Sequence, residues 1–257
     1  MRKGIWVVIL LFTQLTFAFK DSDLDGVEDS VDRCPNTPIL ELVDETGCPL
    51  ERKRWVRGKF YIRIGGGYIK DRAEERAYSS LSLAYSYKGL YTSFTTRYYL
   101  SSKVSDPGMG DSSLFLGYSR FLTESLYVLP GVRIKVPTGD KQFSDGKVDY
   151  TPSLVLDYLF GKADLFTYLS YTFRGDKRLK DTITASFGGG YDLTSKLYLS
   201  LSYDVSESAV RDSYNSYASL FAIYDISRRL YITLSYSKGL NSSATDHSLS
   251  GRLGIRF

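Results

Sequence analysis

The chain is 257 residues long, yet it has one histidine, two cysteines and a net charge of only +4. Beyond residue 18 no apolar run approaches the ~20 residues of a membrane-spanning helix. Each scarcity excludes something. A hydrolase built on a histidine general base would have to use His247, whose neighbour Ser248 is too close in sequence for a productive pair. No basic cluster interleaved with aromatics occurs, so nucleic acid is not an expected partner. The lack of an apolar helix leaves a membrane barrel open, because only every second residue of a barrel strand faces lipid.

The first residues indicate export. Arg2 and Lys3 precede an apolar run at residues 5–12, and Thr16 and Ala18 stand where a signal peptidase cuts. Residues 1–18 are therefore expected to be a signal peptide, with a run too short for a permanent anchor. No cysteine comes directly after Ala18 to carry a lipid. In an exported chain, Cys34 and Cys48 are expected to form a disulfide.

The next stretch is acidic. Asp21, Asp23, Asp25, Asp29 and Asp32 fall at positions 1, 3, 5, 9 and 12 of a run with Gly26 at position 6. This is the oxygen-ligand spacing of a calcium loop, with Asp replacing the usual final Glu and no amphipathic helix on either side. Expected ligands are the side chains of Asp21, Asp23, Asp25 and Asp32 and the Val27 carbonyl, with Asp29 direct or through water. The bland alternative is a solvated acidic linker. The run continues through Cys34-Pro35-Asn36-Thr37-Pro38, Val43-Asp44 and Gly47-Cys48-Pro49. On these residues it resembles the thrombospondin type 3 repeat in the linkers of outer-membrane protein A-like proteins. The resemblance implies bound calcium and a periplasmic setting. A segment this short cannot bury a core, so a cation and a disulfide would replace one. Residues 19–57 form this module and its linker, closing on a basic stretch around Trp55 that suits a membrane interface or an exposed linker.

From residue 58 the pattern has a period of two. Leu197, Leu199, Leu201, Tyr203 and Val205 share one face, while Tyr198, Ser200, Ser202 and Asp204 share the other. Twelve such segments are predicted, near 58–69, 78–87, 90–101, 112–121, 125–137, 147–158, 163–174, 181–192, 196–205, 214–225, 229–238 and 246–257. Tight connections alternate with longer, charged ones, as in outer-membrane barrels. The glycine triplets at 65–67 and 188–190 lie inside strands, where they relieve crowding. On the apolar parity, Tyr68, Tyr98, Phe173, Tyr203 and Tyr236 mark one rim, and Tyr87, Tyr118, Tyr158, Tyr191, Tyr224 and Phe257 the other. Two aromatic girdles predict an all-β, 12-stranded antiparallel transmembrane barrel over residues 58–257. An even strand count puts both chain ends on the periplasmic side. The last strand, ending in Phe257, resembles the segment recognised by the outer-membrane insertion machinery.

"KVPTGD", residues 135–140, resembles the Lys-x-Pro-Thr-Gly-Asp signature of the outer-membrane transporter family labelled phenol-degradation meta-pathway proteins. That resemblance implies passage of small hydrophobic compounds, with the motif closing a strand at the extracellular rim. On the lumen parity, Arg97, Arg133, Lys135 and Arg252 are expected to line the middle and upper barrel. Asp157, Asp192 and Asp225 are placed near the periplasmic mouth. Twelve strands are intermediate between a filled barrel and an open channel. The expected function is a porin-like channel for small solutes; alternatives are a non-conducting barrel anchoring a periplasmic interaction module, and an outer-membrane lipid hydrolase.

Overall fold

The structure is a computed structural model that describes residues 21–23, 25–37, 43–48, 58–72, 74–102 and 106–257. The expected signal segment and the basic stretch at 51–57 lie outside these. The chain divides into two compact units, Met1–Leu50 and Glu51–Phe257.

The larger unit is a barrel. Its staves are β1 (Lys59–Lys70), β2 (Glu75–Tyr87), β3 (Leu90–Ser102), β4 (Ser112–Tyr118), β5 (Leu126–Val136), β6 (Asp149–Phe160), β7 (Ala163–Thr172), β8 (Thr182–Thr194), β9 (Leu197–Glu207), β10 (Tyr214–Asp225), β11 (Leu230–Gly239) and β12 (His247–Arg256). Two two-residue pieces, Gly108–Met109 and Arg120–Phe121, flank β4, so the fourth stave is broken where an unbroken one was expected. All neighbouring pairs are antiparallel, and β1 closes the ring on β12 from Tyr61↔Arg256 to Lys70↔His247. Closure removes every free edge, which a sheet in lipid cannot leave unpaired.

The residues sort inside-out. Ile64 is 61% exposed, Leu201 66% and Phe187 60%, whereas Ser80, Ser82, Ser200, Asp149 and Asp164 are buried. Such a surface is stable only against an apolar solvent, so the alternation read from the sequence reports lipid outside and polar groups inside. Ten of the eleven girdle aromatics, from Tyr236 at 38% to Phe257 at 58%, stand exposed on the outer face. Tyr87 is half-covered beneath Lys88, whose ammonium lies 5.5 Å from its ring centre. Among the described residues no helix is long and apolar enough to cross a membrane.

The ends of the barrel differ. One carries tight turns; at the first, Lys88 (φ 46°) and Gly89 (φ 84°) both adopt the left-handed conformation that matches the twist of a two-residue hairpin. The other carries the longer connections. At the tight-turn end the closing seam finishes with Phe60 and Phe257, which exchange two backbone hydrogen bonds of 3.2 and 2.9 Å.

The smaller unit is a set of turns closed by the Cys34–Cys48 disulfide, with Cα atoms 4.8 Å apart. Its interior is slight: Val27 and Thr37 are buried, and the Thr37 hydroxyl lies 2.8 and 3.0 Å from the carbonyls of Cys34 and Gly47, to which it donates.

Candidate pore and acidic loop

Arg97 on β3 and Arg133 on β5 take the inward parity and yet are exposed. Among the described residues neither makes an ion pair; Arg97 lies 5.3 Å from the Tyr78 ring centre and Arg133 6.0 Å from that of Phe115. Arg252 on β12 also lacks a carboxylate partner among the described residues. The register sets it in a row with Gly65, Ser80 and Arg97 across β12, β1, β2 and β3. Gly65 makes that row possible, since a Cβ there would sit 2.6 Å from the Arg252 Cα.

Other inward cations are engaged. Arg63 donates to the hydroxyls of Tyr231 and Tyr91 at 2.8 and 3.2 Å, tying β1 to strands two places away on either side. Arg256 pairs with Asp225. Lys135, expected as a pore-lining cation, sits among three carboxylates: Asp145 at 2.9 Å, Asp149 at 3.1 Å and Asp111 at 3.5 Å. Asp149 is 2% exposed and also accepts from Arg174 at 3.0 Å. Lys135 therefore serves as the neutralising hub of a carboxylate cluster at the long-loop end.

The residues after Lys135 fasten the 137–148 loop. The Thr138 hydroxyl donates to Ser112 Oγ at 2.7 Å and accepts the Ser112 amide at 2.9 Å. Asp140 accepts the Met109 amide through its carboxylate at 2.8 Å, and its own amide donates to the Met109 carbonyl at 2.9 Å. A Cβ on Gly139 would come 2.8 Å from the Gly110 backbone, so only glycine allows this approach. Beyond, Phe143 stacks on the inward-facing Tyr99 at 4.4 Å, tying the loop to the inner side of β3.

Acidic groups occupy the other wall. Asp157 on β6, Asp164 on β7 and Asp192 on β8 point inward near the tight-turn end. Asp164 is an addition to the acidic residues expected there, although its parity, shared with Tyr168 and Ser170, already places it inside. Its carboxylate accepts from the Tyr198 hydroxyl at 3.1 Å in space left by Gly190, where a Cβ would come 2.0 Å from that hydroxyl. Because β12 and β6 lie half-way round the ring from each other, Arg252 and Asp157 stand on opposite walls.

His247 turns outward, bonding Tyr236 through Nδ1 at 2.8 Å and Lys238 through Nε2 at 3.2 Å, while Ser248 takes the opposite parity. The two cannot form a nucleophile–base pair.

In the smaller unit, ligand atoms of Asp21, Asp23 and Asp25 lie within 4.8 Å of one another. Gly26 has φ +96°, open only to glycine without strain, and its amide donates to Asp21 Oδ2 at 2.9 Å. Asp21 Oδ1 is buried with no partner among the described residues. Burial, then the Asp23 and Asp25 carboxylates, outweigh the Gly26 amide and push the Asp21 carboxyl up to about 7. Three crowded carboxylates, one with an orphaned buried oxygen, fit a hard cation such as calcium, whose charge would offset their mutual repulsion. Asp29 instead accepts from the Ser22 amide and hydroxyl, both at 2.7 Å, and Asp32 accepts from the Cys34 amide at 2.8 Å. Val27 is buried, its amide donating to Asp25 at 2.9 Å.

Residues 64–257 match the family described as "Putative MetA-pathway of phenol degradation". The chain belongs to that family. An outer membrane channel from Pseudomonas putida F1 superposes with a TM-score of 0.66 at 12% identity, covering 82% of this chain and 99% of that one. The NanC porin gives 0.58 at 14% identity, over 76% and 98%. At these identities the likeness establishes the outer-membrane barrel fold. Outer membrane porin F of Pseudomonas aeruginosa is 34% identical over 76 residues, 30% of this chain. That match spans only about a fifth of the porin's length, 21%. Within the family, the matched residues include the Lys135–Asp140 latch and the three arginines Arg97, Arg133 and Arg252.

Proposed function

We propose that this family member is a narrow, weakly anion-preferring pore for small solutes in the outer membrane, its tight-turn end periplasmic. The carrying observation is that Arg97 and Arg133 face the lumen, remain exposed and lack carboxylate partners among the described residues. In a barrel filled by its own side chains such guanidinium groups would be covered or paired. Guanidinium stays charged at any relevant pH, so these groups offer a fixed positive potential along the path. Asp157 and Asp192 lie nearer the tight-turn mouth and are half-buried, so they present less charge to the path than the exposed guanidinium groups. The names of the two similar structures, a channel and a porin, agree with conduction. In a planar bilayer the protein should conduct with anion preference, and Arg97→Ser with Arg133→Ser should abolish the preference. A silent bilayer would favour a second reading, a barrel closed by the Phe143–Tyr99 stack and serving as an anchor.

The N-terminal unit, on this reading, is a periplasmic calcium module of the thrombospondin type 3 kind, available to a periplasmic partner. Asp21, Asp23 and Asp25 hold the ion, with Asp29, Asp32 and the Val27 carbonyl recruited as the loop tightens. Calorimetric titration of the full chain should show one calcium site, with much weaker magnesium binding. Asp23→Asn with Asp25→Asn should remove it; heat unchanged by those substitutions would reject the assignment.

A further inference from the structure

Every tight turn of the barrel carries a cation. Lys88 joins β2 to β3, Arg120 leads into the turn before β5, Lys162 joins β6 to β7, Lys196 joins β8 to β9, and Arg228 and Arg229 join β10 to β11. Glu124 is the sole carboxylate in these five turns. Among the described residues none of the six cations makes an ion pair, and all but Lys162 are exposed. The opposite end mixes both signs. There Lys70, Arg76, Lys135, Arg174, Arg178 and Lys180 are each matched to a nearby carboxylate.

A rim of one sign, with almost no carboxylate in its turns, is thus a property of the tight-turn end. It lies just beyond the aromatic girdle of Tyr118, Tyr158, Tyr191 and Tyr224, at the depth where a bilayer presents its headgroups. Lys88 shows the arrangement directly, its ammonium lying over the Tyr87 ring.

We propose that the tight-turn rim is a docking ring for anionic phospholipid headgroups. The chemistry is complementary: ammonium and guanidinium groups that make no salt bridge among the described residues meet phosphates, and a Lys or Arg near an anionic leaflet gains from that field. Spacing the cations one turn apart spreads the contact round the barrel, which gathers several lipids rather than gripping one. The inference rests on the proposed orientation, in which this end faces the phospholipid leaflet.

The test reconstitutes the full chain in vesicles of equal phosphatidylcholine and phosphatidylglycerol, then counts lipids retained on the extracted protein by native mass spectrometry. Anionic lipid should be enriched by roughly fivefold, the factor one near-surface cation supplies, and less at high salt. K88Q, R120Q, K162Q, K196Q, R228Q and R229Q together should bring the ratio close to one. If that set fails to give a folded, heat-modifiable barrel, K162Q with K196Q should lower the ratio part-way. R178Q with K180Q at the other end should leave it unchanged. Equal retention of both lipids by the unmodified protein, or the same enrichment in the rim variants, would overturn the proposal. So would displacement of the lipid by polyglutamate, which would mark the ring as a site for an acidic polypeptide. Conduction is read separately as bilayer current, and orientation by labelling the S195C variant from either side. Loss of lipid preference with both of those intact defeats this inference alone.

Discussion

Lys135 shows how a residue's role depends on what the fold brings to it. Parity alone places it in the lumen, and from the sequence it reads as a pore cation. The structure surrounds it with Asp111, Asp145 and Asp149, the last nearly inaccessible. Two of these partners come from other strands or their approaches, and one from the loop, so no local pattern reports them. Arg97, Arg133 and Arg252 are legible in the sequence because their surroundings add no countercharge. Asp164 is equally legible by parity. Removing Lys135 leaves Asp149 with Arg174 as its remaining ion-pair partner, and breaking a buried pair costs ~3–5 kcal/mol when the survivor is left unmatched. Arg174 retains part of that, so Lys135→Met should cost about 2 kcal/mol. The loss would be read as a lower urea midpoint for unfolding from detergent micelles. Lys135→Arg should recover most of it. A Met variant as stable as the parent would show that Asp149 is satisfied without Lys135.

At the scale of elements, period-two alternation identifies the strands because one face meets lipid and the other polar lumen along nearly every stave. Strand ends are less legible: β2 begins at Glu75 rather than near 78, ahead of a bulge between Ala77 and Tyr78. The break in the fourth stave is invisible too, since Gly108–Met109 pairs with β3 on one side and is fastened to Asp140 of the distant 137–148 loop on the other. The Lys135–Asp140 motif marks the position of a turn but not its use as a latch. If the latch keeps Phe143 on Tyr99, then Asp140→Ala with Thr138→Val should free the loop. Single-channel records should then show more frequent current fluctuations and altered mean conductance, with the barrel's gel mobility unchanged. Identical traces would mean that the Tyr99–Phe143 stack holds the loop without the motif.

On the scale of the molecule, the decisive contact is between the first and last staves. β1 and β12 pair along their full length although nearly the whole barrel sequence lies between them. Such pairing has a high closure cost in a free chain, because the intervening loop must be ordered before any contact compensates. Closure is nevertheless required, since an open edge in hydrocarbon leaves backbone groups unsatisfied at several kcal/mol each. Phe257 takes part at the very end of the seam. Its backbone exchanges hydrogen bonds with Phe60, its ring lies 6.4 Å from that of Phe60, and its side chain is 58% exposed on the lipid face. Deleting Phe257 removes both bonds and the terminal aromatic together, whereas Phe257→Ala removes only the ring. Both should lower the yield of the compact form that migrates faster before boiling on a detergent gel, the deletion more severely. Refolding into lipid vesicles in vitro separates the causes. If the deletion refolds there as fast as the parent but fails in cells, Phe257 acts through the insertion machinery; if it fails in both, the seam itself is what it stabilises.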